Sequence, residues 1–317
     1  MNLEDIKKKM MQMILKFPIP SIVAMILTSS ITIVDGFFIG NFIGKEGLAA
    51  INLGLPIVYV YLAIGIMLGV GGIAITGISL GAKNIEKSNN VFNQTIFTTT
   101  IISIVISIVI YFLLKPITNI LNMGLVVSDC FYSYYSIMVL AYPIMIINTC
   151  FGMFIRGEGK PSFFMITNII IVIFNIFLDY IFIKKLNMGI KGAAFSSLIS
   201  LIIGMINMIV FFLKKSNIYK FSKFEFSRDI FKDMTLNDSS ELIGQLSMSI
   251  STTAYNLTIM KILGVDGIVA FTIIGYIAYL FNMVIIGLGQ GVSPLISYSY
   301  RAGEINLSEN LRKKQIY

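Results

Sequence analysis

Three carboxylates stand inside long apolar stretches of this sequence: Asp35, Asp179 and Glu241. A charged side chain in such surroundings is costly, so an ionisable residue found there is a functional-site hypothesis by default. The chain contains no histidine, which excludes imidazole proton relays and histidine metal sites. A buried carboxylate can take up a proton and release it when water arrives, or it can hold a cation. These three carboxylates are therefore the candidate carriers of protons or sodium ions.

Each carboxylate belongs to a line of polar residues whose spacing places them on one face of a helix. The lines are Ser21, Thr28, Thr32 and Asp35; Asn168, Asn175 and Asp179; and Glu241, Gln245, Ser249, Thr252 and Asn256. A fourth, softer line consists of Tyr135, Met138, Tyr142 and Met145. Uncharged members of such lines also serve to pack membrane helices together, so both interpretations stay open for them. Polar faces on three helices predict a shared cavity, and we expect its lining to include Thr32, Tyr135, Met138, Tyr142, Asn168, Gln245 and Asn256.

The elements that position these residues are membrane spans. Hydrophobic residues make up 56% of the 317 residues and charged residues 13%, whereas soluble domains carry roughly 25% charged residues. Apolar stretches of about 18 residues predict membrane-spanning helices. The sequence thus predicts an all-α integral membrane protein with eight spans, at about 17–40, 47–80, 91–114, 127–151, 162–183, 190–213, 237–263 and 267–299. The second span exceeds one bilayer crossing and contains Pro56, and we interpret it as one long bent helix.

The basic residues lie between the spans and favour one side. About three quarters of the 24 lysines and arginines fall on the side that carries the N-terminus, with Lys184 and Lys185 as exceptions. This asymmetry is typical of cytoplasmic loops, so it predicts a cytoplasmic N-terminus in the cell membrane and no nucleic-acid partner. The first ten residues lack a small-residue cleavage site, so we expect no removed signal peptide. The two cysteines indicate neither a disulfide framework nor a metal pair.

A repeat indicates two halves. Residues 44–50 (GKEGLAA) resemble residues 264–270 (GVDGIVA), 220 positions later, and a following stretch repeats with an offset of 222, at which Gly81 pairs with Gly303. Six spans separate the copies, so both have the same orientation in the membrane. We therefore predict a six-helix lobe over residues 1–213, a cytoplasmic inter-lobe linker over 214–236 and a partial second lobe over 237–317. The second copy stops after two spans where the first has six.

Several short motifs along residues 10–305 resemble those of multidrug and toxic compound extrusion (MATE) transporters. Each motif is weak alone, but together, in order and correctly spaced among the spans, they are specific. The motifs are VDGFFIGNFIG at 34–44, GLAA at 47–50, SLGA at 79–82, RGEGKP at 156–161, NIFLD at 175–179, GIKGAA at 189–194 and GQGVSPLISY at 289–298.

The resemblance implies twelve helices in two lobes that face each other in a V, and export of lipophilic cationic drugs in exchange for H+ or Na+. The ion site of such transporters uses an aspartate on helix one and an Asn-x-x-x-Asp pair on helix five, which match Asp35, Asn175 and Asp179. A hydroxyl on helix six often joins them, and Ser197 is the nearest match. Many members also use an acidic residue on helix seven, which matches Glu241, so we include Glu241 among the ion-coupling candidates. No cofactor is implied beyond the coupling ion. Helices nine to twelve have no counterpart here, so we expect a truncated copy or a companion chain that supplies the missing helices.

Two other classes of protein share part of this pattern. A flippase for lipid-linked oligosaccharides has a related two-lobe architecture, but its cavity should be strongly cationic to hold a pyrophosphate. The charges inside the spans here are acidic instead. A membrane-embedded enzyme would need a catalytic cluster, and a chain without histidine has no HExxH metal motif. We therefore predict a secondary multidrug efflux antiporter, not an enzyme, whose partners are cationic drugs and membrane lipid.

Overall fold

The computed structural model describes residues 18–237, 239–301 and 303–316. The N-terminal segment, which carries part of the predicted topology and the expected absence of a signal peptide, lies outside the described residues. Within them, seven helical segments are long and apolar enough to cross a membrane. The protein is thus an all-helical, multi-pass membrane protein, which confirms the predicted fold class.

The first seven helices of the described residues pack side by side, and we call them the N-terminal bundle. Three further helices follow it. The bundle contains α1 (Pro18–Phe42), α2 (Lys45–Leu53), α3 (Leu55–Gly81), α4 (Ile85–Ile120), α5 (Leu125–Gly157), α6 (Pro161–Asp179, continued by a π-helical turn Tyr180–Lys185) and α7 (Ile190–Lys214), and the remaining helices are α8 (Arg228–Asn237), α9 (Ser239–Arg301) and α10 (Ile305–Ile316).

Gly264 divides α9 into two limbs. Its backbone, at φ 64° and ψ −152°, leaves the helical region for a conformation that glycine adopts without strain. The limbs fold back on each other, since the rings of Tyr255 and Phe271 lie 5.7 Å apart. We call this element the α9 hairpin. Its limbs, 239–263 and 265–301, correspond to predicted spans seven and eight, so the eight predicted crossings occur as seven helical segments.

The two ends of the molecule can be named from these elements. The Gly264 end is the one at which the α9 hairpin turns, and there the ammonium group of Lys45 lies 2.8 Å from the carboxylate of Asp266. The linker end is the opposite one, where residues 215–227 connect α7 to α8. The sequence predicts that the linker end faces the cytoplasm.

The repeat is visible in the backbone at its first residue. Gly44 precedes α2 with φ 108° and ψ −174°, and Gly264, which precedes the second limb of α9, also combines a positive φ with an extended ψ, at 64° and −152°. Both glycines lie at the Gly264 end, which agrees with the predicted shared orientation of the two copies.

The far end of the repeat differs from the sequence alignment. Lys83 and Gly303 both have positive φ, 58° and 81°. In each turn, the N–H of that residue donates to the carbonyl three positions earlier, and the next N–H donates to the carbonyl five positions before it. Gly303 therefore corresponds to Lys83 at the original offset of 220. The predicted pairing with Gly81 is wrong by two residues, because the sequence aligned glycines where the backbone aligns turns.

The second span is one bent element, as predicted, and its break is at Gly54. Pro56 lacks an N–H group and cannot complete the helical hydrogen-bond ladder. The ring of Tyr135 packs directly against Gly54, leaving no room for a Cβ atom. The Tyr135 hydroxyl donates to the Ile51 carbonyl at 2.7 Å. A tyrosine on α5 therefore fills the break and bonds to one of the carbonyls beside it.

The connection at the linker end is fastened to the N-terminal bundle. Residues 219–227 run along α4 without helical structure, and four side-chain amides of α4 bond to their backbone. The Gln94 amide both donates to the Ser227 carbonyl at 2.8 Å and accepts from the Ser227 N–H at 3.1 Å. The side-chain amide thus forms the same pair of hydrogen bonds with a backbone residue that two residues on neighbouring β-strands form with each other. The four amides belong to Asn89, Asn90, Asn93 and Gln94.

Two buried residues extend this attachment. Tyr219 is fully buried, and its hydroxyl donates to Thr76 Oγ1 at 3.3 Å. Burial raises the pKa of Tyr219, so its hydroxyl remains a donor across the physiological range. Met234 of α8 packs its backbone against Gly71 of α3. The predicted polar linker is therefore a segment docked on α4 and α3 at the linker end of the bundle.

Candidate ion site and central cavity

Asp35 lies where α1, α6 and α7 meet, toward the Gly264 end. Its Oδ1 accepts a hydrogen bond from Asn175 Nδ2 at 3.0 Å, and its Oδ2 accepts one from the Ser197 hydroxyl at 2.6 Å. Asp35 is only 3% exposed, and its two partners are buried as well. The structure thus brings together three residues assigned to the ion site by resemblance, one from each helix.

Asp179 lies one helical turn from Asn175 and adds a second carboxylate. It is the last residue of α6, directly before the π-helical turn, and such irregular turns are frequent at functional sites. Its Oδ1 accepts a hydrogen bond from the Ser196 hydroxyl, and the carboxylate is close enough to Asp35 for direct interaction. Ser196 was missed by sequence reasoning, because no spacing argument separates it from its neighbour Ser197.

The cluster has fewer donors than acceptors. Asp179 Oδ2 and Asn175 Oδ1 are buried and have no hydrogen-bond partner. Buried polar atoms of this kind are costly unless a partner satisfies them. Two neighbouring carboxylates cannot both remain charged away from water without a compensating positive charge. A shared proton or a bound monovalent cation would supply that charge and occupy the unpaired oxygens.

A second polar contact joins the same two helices closer to the linker end. The Thr28 hydroxyl donates to Asn168 Oδ1 at 2.9 Å. Each partner lies seven residues before its counterpart in the Asp35–Asn175 pair, so α1 and α6 run parallel with their polar faces together. The polar lines predicted on these helices therefore form a seam between them, and Thr28 and Asn168 also line the central cavity.

Glu241 is not part of this cluster. It occupies the first turn of α9 at the linker end, where its side chain is exposed. The neighbouring Leu242 packs with Met67 and Met234 instead. The expectation that Glu241 joins Asp35 and Asp179 is wrong for this structure, because the first limb of α9 runs beside α3 and brings a different part of its polar line toward the bundle.

A central cavity lies between the N-terminal bundle and the α9 hairpin, toward the linker end. It contains about 740 Å³ of empty space, counting the part that is open at its mouth. Asn168 and Gln245, two of the residues assigned to a substrate cavity from the sequence, are among its lining residues. The other polar lining residues are Thr28, Tyr59, Asn148, Thr149, Tyr279, Asn282 and Gln290, and apolar ones include Met25, Met145, Phe164, Met208 and Met283.

Five predicted lining residues lie elsewhere. Tyr135, Met138 and Tyr142 belong to the hydrophobic core that α5 shares with α2 and α3, where the rings of Tyr61 and Tyr142 stand 5.1 Å apart. Their line faces an apolar neighbour, so packing is the correct interpretation, and only Met145 of that line reaches the cavity. Thr32 is half-buried beside the cavity residue Ile31 and does not line the cavity itself.

Asn256 is the fifth of these residues. It is fully buried and donates to the Asn52 carbonyl at 3.3 Å, beside the break at Gly54. Ser249, on the same line, donates to the Pro56 carbonyl at 3.0 Å. The members of this polar line nearer the Gly264 end therefore bond to the backbone on either side of Gly54. Of the whole line, only Gln245 contributes to the cavity.

The second limb of α9 carries a lining face that sequence reasoning missed. Tyr279, Asn282, Ile286 and Gln290 are spaced by three, four and four residues and all line the cavity. This spacing is the same helical signal that identified the other lines. The spacing is visible in the sequence, but this face contains no carboxylate, the residue type from which the other polar lines were identified.

Arg156 was also placed incorrectly. The sequence assigned it to a loop, because predicted span four ended at residue 151. In the structure α5 continues to Gly157, and Arg156 is 1% exposed. Its Nη2 donates to Gln290 Oε1 at 2.5 Å, and its guanidinium lies 4.6 Å from the centre of the Phe164 ring. A buried cation therefore adjoins two residues of the cavity wall.

Comparison with known proteins supports this architecture. A family model named MatE matches residues 20–181, about half of the chain. Multidrug export protein MepA of Staphylococcus saprophyticus is 26% identical over 312 residues, which cover 98% of this chain and 68% of the relative. The protein of the same name from Staphylococcus haemolyticus is 26% identical, with 93% and 66% covered. The chain thus spans about two thirds of the length of these relatives.

Solved structures share the fold. The outward-facing conformation of a multidrug resistance MATE family transporter of the MOP superfamily superimposes with a TM-score of 0.86 at 24% identity, covering 96% of this chain and 68% of that one. A MOP superfamily transporter from Pyrococcus furiosus, described as having a binding pocket of reverse polarity, gives the same values. The matched family model, together with the helical architecture and motif order, shows that the chain belongs to the MatE family of multidrug and toxic compound extrusion transporters.

Proposed function

We propose that this chain forms the larger part of a secondary transporter that exports lipophilic cationic drugs in exchange for H+ or Na+. The observation that carries the proposal is the pair of buried carboxylates, Asp35 and Asp179, with unpaired acceptor oxygens beside them. Family membership and the MepA relatives, whose name describes multidrug export, support the same function.

The coupling ion binds among Asp35, Asn175, Asp179 and Ser197. Asn175 and Ser197 already donate to Asp35 and hold its carboxylate in place. The unpaired oxygens of Asn175 and Asp179 then complete the surroundings of an incoming proton or Na+. An ion that arrives from one side of the membrane and leaves toward the other drives the exchange.

The ion site communicates with the cavity through α1 and α6. Thr28 and Asn168 line the cavity, and each lies seven residues, about two helical turns, from its partner in the ion cluster. A change in how α1 and α6 pack at Asp35 therefore alters the cavity wall at Thr28. This arrangement lets ion binding and cargo binding exclude each other without direct contact.

The cavity suits a flat apolar cation. Its wall combines methionines with the aromatic rings of Tyr59, Tyr279 and Phe164, and the residues that line it include no lysine or arginine. Aromatic faces attract cations, and methionine adapts to varied shapes. A pyrophosphate-linked oligosaccharide would require several cationic groups in this wall, which disfavours the flippase alternative.

Transport requires helices beyond the described chain. Both limbs of the α9 hairpin expose large apolar side chains, including Ile250, Ile274, Phe281 and Ile285. About one third of the length of the curated relatives lies outside the matched region. We propose that a second lobe, begun by α9, is completed by further helices, supplied by a longer chain or by a companion chain.

Orientation and location form part of the proposal. The protein lies in the cell membrane with its N-terminus and linker end in the cytoplasm, as the asymmetry of basic residues indicates. A cysteine placed at Asn187 should react with an impermeant reagent in intact cells, whereas one at Asn217 should not. Reaction at Asn217 alone would reverse the assigned orientation.

The test of the function is dye binding to the purified protein in lipid nanodiscs. We expect ethidium to bind, and we expect lower pH or added Na+ to weaken its binding by neutralising the carboxylates. An Asp179→Asn variant should bind ethidium with little dependence on pH or Na+. Stronger binding of an anionic dye of similar size, or unchanged ion dependence in the variant, would overturn the proposed function.

A further inference from the structure

Tyr276 lies on the second limb of the α9 hairpin, and its hydroxyl group is buried without a partner. Within the part of the chain that the structure describes, no group forms a hydrogen bond with this hydroxyl. A buried hydroxyl that has no acceptor is unfavourable. Tyr276 is three residues, about one helical turn, from the cavity residue Tyr279. It therefore lies just beyond the cavity, toward the Gly264 end.

The ring of Tyr276 reaches α1 beside the ion site. Its hydroxyl packs directly against Gly36, where an added Cβ atom would collide with the ring. Gly36 follows Asp35 in the chain, and the charge of Asp35 acts on the Tyr276 hydroxyl. The glycine thus allows a side chain of the hairpin to approach the ion cluster, whose other assigned residues all belong to the N-terminal bundle.

The cluster and the tyrosine have complementary needs. The cluster has unpaired acceptor oxygens, whereas Tyr276 has an unused donor. Besides its two donors on α6 and α7, Asp35 faces three groups that could exchange protons or hydrogen bonds with it: Asp179 of α6, Tyr134 of α5 and Tyr276 of α9. When a proton or Na+ leaves this site, the negative charge is no longer compensated, and a further donor then stabilises it. Tyr276 is the donor that comes from the hairpin.

We propose that Tyr276 is a positioning residue for ion exchange. Its hydroxyl donates to Asp35 when the ion site is empty, and so holds the α9 hairpin against α1. A proton or Na+ on the carboxylate weakens this bond, so an empty ion site and an open Gly264 end exclude each other. Exchange requires such a rule, because a carrier that changes orientation while empty dissipates the ion gradient. The inference rests on the proposed function, from which it takes Asp35 as the carrier of the ion.

The test measures how often the hairpin separates from the bundle at the Gly264 end. Ile268 is fully buried there, in the hydrophobic core that the hairpin shares with the bundle. A cysteine in its place should react with a maleimide only when this contact opens. Labelling of Ile268→Cys protein in nanodiscs is followed by mass spectrometry, in mildly alkaline buffer without Na+. Tyr276→Phe keeps the ring and removes the donor, so it should accelerate labelling roughly tenfold, since a hydrogen bond to a charged group is lost.

Substitution of the acceptor shows whether the tyrosine acts through Asp35. Asp35→Asn removes the charge and should accelerate labelling by a similar factor. The combined variant should be no faster than either single one, because both remove the same bond. Gly36→Ala displaces the ring and should also accelerate labelling while leaving donor and acceptor in the chain. This third variant tests the contact even if Asp35→Asn does not fold.

Two controls separate a local contact from general loosening. Tyr255→Phe removes the hydroxyl of an exposed tyrosine on the first limb and should leave the labelling of Ile268→Cys unchanged. Val292→Cys places the reporter at a buried position nearer the linker end. Its labelling should be the same with Tyr276 or phenylalanine at residue 276.

The outcomes separate this inference from the proposed function. Unchanged or slower labelling of Ile268→Cys in Tyr276→Phe, effects of Tyr276→Phe and Asp35→Asn that multiply, or equal acceleration at Val292→Cys would each overturn the role of Tyr276 and leave the transport function standing. The labelling uses neither dye nor coupling ion. Ethidium binding that ignores both pH and Na+ in the wild type would overturn the function, and the role of Tyr276 in exchange with it, even if the labelling showed the contact to Asp35.

Discussion

The N-terminal bundle and the α9 hairpin contain copies of the same repeat but differ in how their helices are covered. In the most apolar stretch of α5, at the centre of the bundle, 72% of the residues are buried, whereas only 17% are buried in that of α9 and 22% in that of α4, at the edge of the bundle. Gly44 and Gly264 nevertheless both have positive φ and extended ψ. The repeated sequence therefore determines local geometry, and the neighbouring helices determine which faces become cores and which become sites.

The polar residues of the two regions show the same contrast. In the bundle, polar side chains from different helices bond to each other, as Thr28 does with Asn168 and Ser197 with Asp35. In the α9 hairpin, Ser249 and Asn256 bond instead to backbone carbonyls beside the break at Gly54. Gln290 and Asp266 are exceptions, since they bond to the side chains of Arg156 and Lys45. We infer that the bundle holds a complete ion site, while the hairpin contributes one wall of the cavity.

The largest expected effect is on transport, when one carboxylate in each region is replaced by the corresponding amide. In a twelve-helix version of the protein, built by appending the missing helices, Asp179→Asn should reduce ion-driven ethidium efflux from proteoliposomes to background. Glu241→Gln, on the exposed first turn of α9, is the matched control and should retain most of the activity. Amide and carboxylate have nearly the same size, so both variants should insert normally. Undiminished efflux in the Asp179 variant would remove the assigned distinction between the regions.

A second comparison uses one glycine from each region. Gly54→Ala should destabilise the protein by about 1–3 kcal/mol, because the added methyl group collides with Tyr135 and displaces its hydroxyl from the Ile51 carbonyl. Gly275→Ala, with open space around it, should stabilise the protein by up to about 1 kcal/mol through helix propensity. Thermal unfolding in mild detergent measures both changes. Equal shifts would show that the packing difference has no energetic consequence.

A smaller effect is expected where the connection is fastened to α4. Asn90→Ala combined with Gln94→Ala removes the paired bonds to Glu225 and Ser227, each worth about 0.5–1.5 kcal/mol. Trypsin should then cleave after the exposed Lys223 roughly tenfold faster than in the wild type. Gln245→Ala, which removes an amide from the α9 hairpin, should leave the cleavage rate unchanged. A similar acceleration in both variants would indicate general loosening.

The smallest effect concerns the ion pair that joins the two regions. Lys45 and Asp266 approach to 2.8 Å, but both side chains are more than half exposed. Solvent and salt screen such pairs, so Asp266→Asn should leave the unfolding midpoint unchanged within error. A marked loss of stability, restored by exchanging the two charges, would show that this contact is needed to hold the hairpin against the bundle.

Sequence reasoning succeeded where two helices carry polar residues at matching intervals. The seven-residue steps from Thr28 to Asp35 and from Asn168 to Asn175 are equal, so parallel helices align both contacts at once. The line that contains Tyr135 has the same periodicity but faces an apolar neighbour. Periodicity identifies a helix face, whereas its environment depends on tertiary packing. The burial of Arg156 was not predicted, because a charged residue just beyond a predicted span is assigned to a loop until the length of the helix is known.

The docked connection has a consequence for how the two regions separate. Residues 219–227 bond to α4, and α8 packs on α3, so the chain is attached to the bundle as far as α8, which ends at Asn237. The α9 hairpin begins at Ser239, directly after this attachment, and is therefore held beside the bundle at a high effective concentration, on the order of millimolar. Individual contacts between the two regions, such as the one between Asn256 and Asn52, need little affinity of their own to form again after they are broken.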